Sequence, residues 1–379
     1  MKLRTVSGPF RLVALMASVA ASVAFADDAK APVIPQLTPS PNFSDSTLPP
    51  NGDVNPYGVA FVPHGFPGGG PLRAGDIIVS NFNNSGNLQG TGTTIVRVNN
   101  GNLPTVFFQG ETGLGLTTAL VALKGGFVLV GNLPSTDGSG TCVAETGPNQ
   151  NVGQGSLLVI DKSGNLVNQL TSPSLLNGPW DLTVRDDGKR AKVFVSNALS
   201  GTVTRLDVRI VGDADGDKKD ALIVEKETQI ASGYLHRCDP AAFVVGPTGL
   251  ALDKKKDILY VSSTGDNAIF AISDASDRTS DAGMGKPVVT DQNHLHGPLG
   301  LALARNGDLI STQGDAVNPD PKQPSELVEF TPKGQFVSQL SVDPAPGGAF
   351  GLALRPLQDG FVLATVDDNT VVLDIWVVK

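Results

Sequence analysis

The chain has 379 residues with 44 Gly and 27 Pro, and charged residues make up 17% of it. A hydrophobic fraction of 40% is enough to bury a sizeable core, which excludes wholesale disorder. The low charge and abundant Gly exclude a coiled coil or a long-helix architecture. A formal net charge of −9 presents no basic field to phosphates, so nucleic acid is excluded as the main partner.

The first 26 residues have the pattern of a secretory signal peptide. Three basic residues, the last of them Arg11, flank an uncharged apolar run, and the sequence AFA ending at Ala26 matches a cleavage site. The alternative is an uncleaved anchor, but the run is short for a membrane span. Cleavage leaves 25 basic and 37 acidic residues, a net charge of −12. We therefore predict a secreted or periplasmic, acidic, monomeric protein without a membrane span.

Residues 27–54 form a Pro-rich arm that precedes the main domain. Six prolines and many small polar residues favour an extended segment over a helix. Val33, Ile34 and Leu37 supply one short apolar piece that can pair as an edge strand.

From residue 55 onward, a short apolar segment that opens on a small residue recurs six times. Its copies are NPYGVAF, TTALVAL, GPWDLTV, GPTGLAL, GPLGLAL and GAFGLAL, with anchors at Gly58, Ala119, Asp181, Gly249, Gly300 and Gly351. A polar turn and a second apolar run follow each copy, and a third and often a fourth run come after these. Each unit is a four-stranded meander that cannot bury both faces alone. We therefore predict an all-β fold, a six-bladed β-propeller of four-stranded antiparallel blades over residues 55–379.

The sixth unit is one strand short because the chain ends at Lys379, soon after its third apolar run. We expect the arm around Val33 to Leu37 to supply the missing strand, so that an N-terminal strand closes the ring and removes an exposed edge. The alternative is a disordered arm beside a three-stranded last blade.

The pattern GPxGLAL followed by GDIxVSN resembles NHL-type repeats and the wider six-bladed propeller group with the gluconolactonase, strictosidine synthase and streptogramin lyase families. The resemblance covers residues 55–379 and implies the fold. It does not specify the function, because both enzymes and binding modules use this architecture. A gluconolactonase-like site implies a first-strand Glu with Asn and Asp around a metal. Asn81, Asn132 and Asn197 are candidates for the Asn ligands, but no anchor is Glu.

In a propeller, the loops from second to third strands and from fourth strands to the next blade share the face around one mouth of the central channel. We predict the binding site among the polar residues of these loops, which are Asn81, Asn83, Asn84, Asn132, Asn197, Asp266, Asn267, Gln313, Asp315, Asp367, Asp368, His236, His294 and His296. Trp180 and Phe350 lie at the openings of first strands, where they contact a ligand or pack between blades.

The histidines of this set suggest a metal. On an extended segment, His294 and His296 place both rings on one side, and His236 lies one blade earlier. The resemblance adds that lyases of this group use histidines at the mouth. The alternative is that these are plain hydrogen-bonding residues of polar loops.

The two cysteines, Cys142 and Cys238, lie in loops of the mouth face. Because cysteines of an exported chain usually pair, we predict a disulfide that pins the insertion from Leu133 to Gly155 over the mouth. The alternative is two buried thiols, since blades 2 and 4 are not adjacent.

The run DADGDKKD suggests a possible Ca²⁺ site on the opposite face. Its oxygen donors are Asp213, Asp215, Asp217 and Asp220. The EF-hand Gly and Glu positions hold Lys218 and Val224 instead, and the alternative is a solvated acidic turn.

The sequence thus leaves two functions in competition. The first is an exported propeller that binds a small molecule, glycan or protein at its mouth. The second is a metal-assisted lyase or lactonase with Ca²⁺ or Zn²⁺ in the mouth. We favour the first because no complete catalytic set can be assembled, and the chain has no GxSxG, P-loop or CxxC motif.

Overall fold

The computed structural model describes residues 31–143, 151–211 and 220–379. The predicted signal peptide and three of the four Asp residues of the DADGDKKD run, Asp213, Asp215 and Asp217, lie outside the described residues. The described part is all-β, with one short 3-10 helix at Ile34–Gln36. Within these ranges no helix is long and apolar enough to cross a membrane.

Six four-stranded antiparallel sheets make up the molecule, and the first strand of the chain, β1 (Phe43–Ser46), belongs to the last of them. Blade 1 contains β2 (Val54–Phe61), β3 (Ile77–Asn83), β4 (Thr94–Asn99) and β5 (Asn102–Gln109). Blade 2 contains β6 (Leu116–Ala122), β7 (Phe127–Asn132), β8 (Ser156–Asp161) and β9 (Leu166–Leu170). Blade 3 contains β10 (Pro179–Asp186), β11 (Arg190–Asn197), β12 (Thr202–Val211) and β13 (Ala221–Ser232).

A short hairpin of β14 (Arg237–Asp239) and β15 (Phe243–Val245) precedes the second half of the ring. Blade 4 contains β16 (Pro247–Asp253), β17 (Ile258–Ser263), β18 (Ala268–Ser273) and β19 (Lys286–Val289). Blade 5 contains β20 (Pro298–Leu303), β21 (Leu309–Gln313), β22 (Glu326–Phe330) and β23 (Phe336–Ser341). Blade 6 contains β24 (Ala349–Pro356), β25 (Phe361–Asp367), β26 (Val372–Val378) and β1.

The first strand of each blade contacts the first strands of both neighbouring blades, so that β2, β6, β10, β16, β20 and β24 form a closed inner ring. The apolar side chains pack into clusters between successive blades rather than into one central core. The predicted six-bladed β-propeller is therefore confirmed.

In every blade, the hydrogen-bonded pairing between the first and second strands is interrupted around the anchor. Side-chain hydroxyl groups connect neighbouring blades at these interruptions. In blade 1 the Gly58 N–H donates to Ser80 Oγ at 3.0 Å, and this hydroxyl donates to the Thr117 carbonyl of blade 2 at 2.8 Å. Ser196 of blade 3 repeats the bridge with a 2.7 Å bond to the Thr248 carbonyl of blade 4. These bonds satisfy backbone groups that the irregular ladder leaves unpaired.

The glycine anchors let the first strands approach one another closely. A Cβ atom on Gly351 would lie 1.8 Å from the carbonyl oxygen of Tyr57, and one on Gly249 would lie 2.2 Å from that of Leu299. Since no side chain tolerates such distances, glycine is a requirement of ring closure at these two anchors.

An N-terminal strand closes the ring, as predicted, but the segment assigned to it was wrong. Strand β1 pairs with β26, from Phe43 opposite Ile375 to Ser46 opposite Val372. The segment from Val33 to Leu37 instead contains the 3-10 helix, because its prolines cannot donate to a strand ladder and suit the first turn of a helix.

The arm is held by hydrogen bonds ahead of β1. The N–H groups of Val33 and Ile34 each donate to the buried carboxylate of Glu329 in blade 5, both at 2.7 Å. Trp376 of blade 6 donates its indole N–H to the Thr38 carbonyl at 2.9 Å. The arm therefore lies across blades 5 and 6 before it completes the last sheet.

Candidate functional site

Two cavities are bordered by the ring of first strands. The mouth pocket, about 200 Å³, lies where these strands begin, and its lining residues include Asn55, Tyr57, Asn83, Asn87, Gln89, Trp180, Ala241, Ala242, Val244, Thr264, Leu299 and Phe350. The lower channel, about 640 Å³, is lined by residues from all six first strands and by the turns that follow β16 and β20. Cavities of this kind are the usual places for ligands.

Aromatic rings line one side of the mouth pocket. The residue before the anchor is aromatic in blades 1, 3 and 6, namely Tyr57, Trp180 and Phe350. Tyr57 stacks on Phe350 with ring centroids 4.6 Å apart, and Trp180 meets Tyr57 edge-on at 5.6 Å. Trp180 and Phe350 therefore pack between blades and also line a pocket, while their contact with a ligand stays a prediction.

A disulfide-linked cap covers this aromatic cluster. Cys142 and Cys238 form the predicted disulfide, with Cα atoms 5.2 Å apart. Blades 2 and 4 are not adjacent, but Cys238 belongs to the β14–β15 hairpin, an insertion ahead of blade 4. Ala241, at the tip of this hairpin, accepts a hydrogen bond from Gln89 of blade 1 at 3.1 Å. The hairpin therefore reaches across the mouth, which brings the two cysteines together.

Three buried polar atoms of the mouth pocket have no hydrogen-bond partner among the described residues. They are Asn55 Oδ1, Asn83 Oδ1 and Trp180 Nε1. The two amide groups are oriented by their other ends, because Asn83 Nδ2 donates to Asn87 Oδ1 at 2.7 Å and Asn55 Nδ2 donates to Asp368 at 3.3 Å. A buried polar group without a partner costs about 1–3 kcal/mol, so these atoms favour a polar occupant.

A carboxyl group that titrates near neutrality adjoins the pocket. Burial and the neighbouring charge of Asp367 raise the pKa of Asp368 to about 7, although the hydrogen bond from Asn55 opposes this. Burial, followed by the charge of Asp368, also raises the pKa of the Tyr57 hydroxyl. Asp368 therefore contacts the pocket through Asn55 and acts electrostatically on Tyr57.

The structure places most of the predicted mouth asparagines inside the blades. Asn132 and Asn197 are buried, and their Oδ1 atoms accept the N–H groups of Gly115 and Asn177 at 2.8 and 3.1 Å. Asn81 donates to Thr94 Oγ1 at 3.2 Å. These amides are used for internal hydrogen bonds, and none of the three lines the mouth pocket. A ligand role for them stays a prediction.

Gln313 and Asn267 serve their blades in the same way. Gln313 accepts the His296 N–H at 2.6 Å, and Asn267 accepts the Gly297 N–H at 2.7 Å. Since these N–H groups lie in the segment entering blade 5, the two amides position that segment.

Three predicted acidic residues also hold loops. Asp266 accepts the Ser263 hydroxyl at 2.6 Å, Asp315 accepts the Gly347 N–H at 2.6 Å, and Asp367 accepts the Asn369 N–H at 3.0 Å. The structure therefore does not bring the predicted polar residues together at one point. Of that set, Asn83 lines the mouth pocket and Asp368 adjoins it.

The three predicted histidines each have local partners. His294 Nδ1 lies 2.8 Å from Asp291 Oδ2. His296 Nε2 lies 3.3 Å from the Asn293 carbonyl, and His236 Nδ1 lies 3.0 Å from that of Tyr234.

Metal coordination by these histidines or by the acidic run has no support in the described ranges. Over residues 31–143, 151–211 and 220–379, no three His, Cys, Asp or Glu side chains are grouped to hold a metal ion. The Ca²⁺ site stays a prediction, because Asp213, Asp215 and Asp217 lie outside the described residues.

Sequence reasoning missed Asn55 and Tyr57 as residues of the mouth pocket. A signal for Tyr57 was available, because it occupies the same place in the first repeat as Trp180 in the third and Phe350 in the sixth. The sequence contains no comparable signal for Asn55. Its side chain is oriented by a hydrogen bond from blade 1 to Asp368 of blade 6, and such a contact between blades is not visible in the repeats.

The sequence matches no family model and no curated protein. Among solved structures, a gluconolactonase from Xanthomonas campestris is similar, with 13% identity, a TM-score of 0.49, and coverage of 89% of this chain and 95% of that one. A luciferin-regenerating enzyme has 12% identity and a TM-score of 0.50 with the same coverages. At these identities the likeness concerns the fold alone. The six blades of the structure confirm the propeller part of the resemblance, and membership of the NHL-repeat group stays a prediction.

Proposed function

We propose that the mouth pocket binds a small, neutral, hydroxylated ring compound, such as a sugar. The observation that carries this proposal is the placement of three buried, partnerless polar atoms beside three aromatic rings in one pocket. We also propose that the protein acts after export, since its disulfide fits an oxidising compartment.

The chemistry of the pocket matches a ring with one apolar face and several hydroxyls. Hydroxyl groups can donate to Asn55 Oδ1 and Asn83 Oδ1 and can accept from Trp180 Nε1. The rings of Tyr57, Trp180 and Phe350 offer apolar surface for the carbon skeleton. A volume of 200 Å³ equals about six or seven water molecules, which suits a single substituted ring.

The charges around the pocket favour a neutral ligand. None of the described lining residues is Lys or Arg, and the carboxyl group of Asp368 adjoins the pocket, so an anion is repelled. A quaternary ammonium ion would suit the aromatic rings, but it would leave the donor Trp180 Nε1 and both amide oxygens unpaired.

We expect D-glucose or a related monosaccharide to change the fluorescence of Trp180. The chain has two tryptophans, so Trp376→Phe leaves Trp180 as the single reporter. In that background, Asn55→Ala and Asn83→Ala should each weaken binding by about three- to tenfold, because each removes one hydrogen-bond acceptor. Titration calorimetry with the wild-type chain provides the second measurement.

Asn168→Ala is the matched control, since Asn168 is exposed on β9 away from the pocket and should leave the affinity unchanged. Equal weakening by Asn168→Ala and Asn83→Ala would contradict the proposal. So would tighter binding of choline than of every monosaccharide tested.

A second candidate function is hydrolysis of a lactone in the same pocket, and the raised pKa of Asp368 favours it. An ionised Asp368 can take a proton from water while the water oxygen adds to the lactone carbonyl carbon. Trp180 Nε1 is available to donate to the developing oxyanion. The ring C–O bond then breaks, and the proton moves to the leaving oxygen to give a hydroxy acid.

The metal that the resemblance implies does not fit the residues that surround this pocket. The positions before the six anchors hold Tyr57, Thr118, Trp180, Thr248, Leu299 and Phe350, of which none has a carboxylate or imidazole group. We therefore derive no step through a metal ion.

Hydrolysis predicts a rate that rises as the pH increases through about 7, because the base must be ionised. The substrate to test is D-glucono-δ-lactone, with ring opening followed by proton release in a pH-stat. Asp368→Asn should lower the rate by about a hundredfold or more. Asp359→Asn, an exposed change in the turn after β24, is the control. A rate equal to the uncatalysed one in the wild-type chain excludes hydrolysis while leaving ligand binding intact.

A further inference from the structure

The lower channel is a second cavity, distinct from the mouth pocket, with its own chemistry. All six first strands contribute to its wall, and the turns after β16 and β20 contribute to its rim. The side chains of successive first-strand residues lie between blades, as with Leu250 in one cluster and Ala251 in the next. The edges of the strands therefore face the channel, and backbone N–H and C=O groups make it hydrophilic.

The rim of the channel carries positive charge although the chain as a whole is acidic, with a net charge of −9. Lys254, Lys255, Lys256 and Arg305 are exposed there. Lys256 pairs with Asp253 at 3.1 Å. Among the described residues, Lys254, Lys255 and Arg305 form no ion pair with a carboxylate. The guanidinium group of Arg305 donates to the backbone carbonyls of Gln358 and Leu357 instead.

Further basic residues reinforce this field. The pKa of Lys254 is lowered by burial and by the nearby positive charge of Lys124, with a smaller contribution from Arg185, while Asp186 opposes these effects. Burial is the largest of these causes, and Lys124 places a like charge near Lys254 that Asp186 partly offsets. An anion at the rim would relieve this repulsion.

The inner end of the channel carries the one anchor that is neither Gly nor Ala, which is Asp181. Its Oδ1 accepts the Leu182 N–H at 2.6 Å, and its Oδ2 accepts the Leu250 N–H at 3.1 Å. Burial nevertheless raises the pKa of Asp181 to about 8. At neutral pH the group is mostly protonated, so that it offers an O–H donor rather than a repelling charge.

We propose that the lower channel is a binding site for a small hydrophilic carboxylate, attracted by Lys254, Lys255 and Arg305 and hydrogen-bonded by the carboxyl group of Asp181. The volume of 640 Å³ is ample for a four-carbon dicarboxylate with bound water. This site is independent of the mouth pocket, because the two cavities share no lining residue.

Titration calorimetry with succinate tests the proposal, with succinamide as the uncharged probe of similar shape. We expect succinate to bind and succinamide to bind at least about tenfold more weakly. Lys254→Ala/Lys255→Ala should weaken succinate binding by about tenfold or more. The control Lys322→Ala/Lys333→Ala removes the same charge at exposed positions outside the channel and should leave the affinity unchanged.

The role of Asp181 at the inner end of the channel is tested by measuring succinate affinity at pH 7 and at pH 9. The wild-type chain should lose affinity as Asp181 ionises, while Asp181→Asn, which keeps an N–H donor, should lose less. The other charged groups that line the channel are Asp253, Lys254, Lys255, Lys256 and Arg305, and they are common to both chains. Equal loss in both chains would overturn the role of Asp181. Equal affinities for succinate and succinamide, or no succinate binding at all, would overturn the site.

Discussion

Removal of the Cys142–Cys238 disulfide is expected to lower the free energy of unfolding by about 4–5 kcal/mol. The bond joins residues that are 96 positions apart, so it removes much of the freedom of the unfolded chain. Cys142 is also buried among Phe82, Phe243 and Trp180, which means that its loss disturbs a packed cluster as well.

The variant Cys142→Ser/Cys238→Ser, compared with the oxidised wild type in urea denaturation, measures this effect. Thr141→Ser, an exposed neighbour of Cys142, controls for a change in the same loop with the bond intact. We also expect the double variant to lose the monosaccharide response of Trp180, because the hairpin that covers the mouth is no longer pinned. An unchanged urea midpoint would show that the bond contributes nothing to stability.

The repeats predicted the blades because ring closure demands a small residue at most of the anchors. Gly351 and Gly249 are small since the next strand passes within van der Waals distance. Such a steric requirement is visible in one sequence, because five of the six anchors are Gly or Ala at one place in the pattern, with Asp181 as the exception. The arm has no such repetition, and its apolar residues Val33 and Ile34 were placed in a strand although they are the N-cap and the first residue of a 3-10 helix.

The candidate site was harder to predict than the fold. The sequence placed Asn132 and Asn197 at the correct ends of their strands, but strand position alone does not tell whether an amide bonds to its own blade or to a ligand. The disulfide was predicted correctly, and the alternative of two thiols arose from the distance between blades 2 and 4, because the β14–β15 hairpin that bridges this distance has no counterpart in the repeats. The cover of the mouth pocket comes from this insertion, which the repeats cannot describe.

Raising the pH from 5 to 9 is expected to destabilise the protein, and Glu326 is one of the buried carboxyl groups responsible. Its side chain is 1% exposed. Oε1 accepts a hydrogen bond from Gln313 at 2.8 Å, while Oε2 has no partner among the described residues. Burial, followed by the charges of Asp320 and Asp315, raises the pKa of Glu326 from 4.5 to about 8. The group is therefore protonated in the folded chain over a range in which the unfolded chain has released the proton.

The sign of the effect follows from proton linkage. Between about pH 4 and 8 Glu326 holds its proton in the folded state but not in the unfolded state, so the stability that it contributes is fully present below pH 4 and is lost as the pH rises through 8. The full shift of Glu326 is worth on the order of 5 kcal/mol. Asp181 and Asp368, whose pKa values are also raised, act in the same direction.

Glu326→Gln should flatten this pH dependence, as measured by the melting temperature at pH 5 and pH 9. The substitution is well suited to the site, because Gln retains the acceptor for Gln313 and places an uncharged group at the partnerless Oε2 position. Glu111→Gln, at an exposed position, should leave the slope unchanged. If the melting temperature of Glu326→Gln depends on pH as steeply as that of the wild type, the effect belongs to other acids. A weaker dependence is expected to remain, because Asp181 and Asp368 still ionise in the folded state.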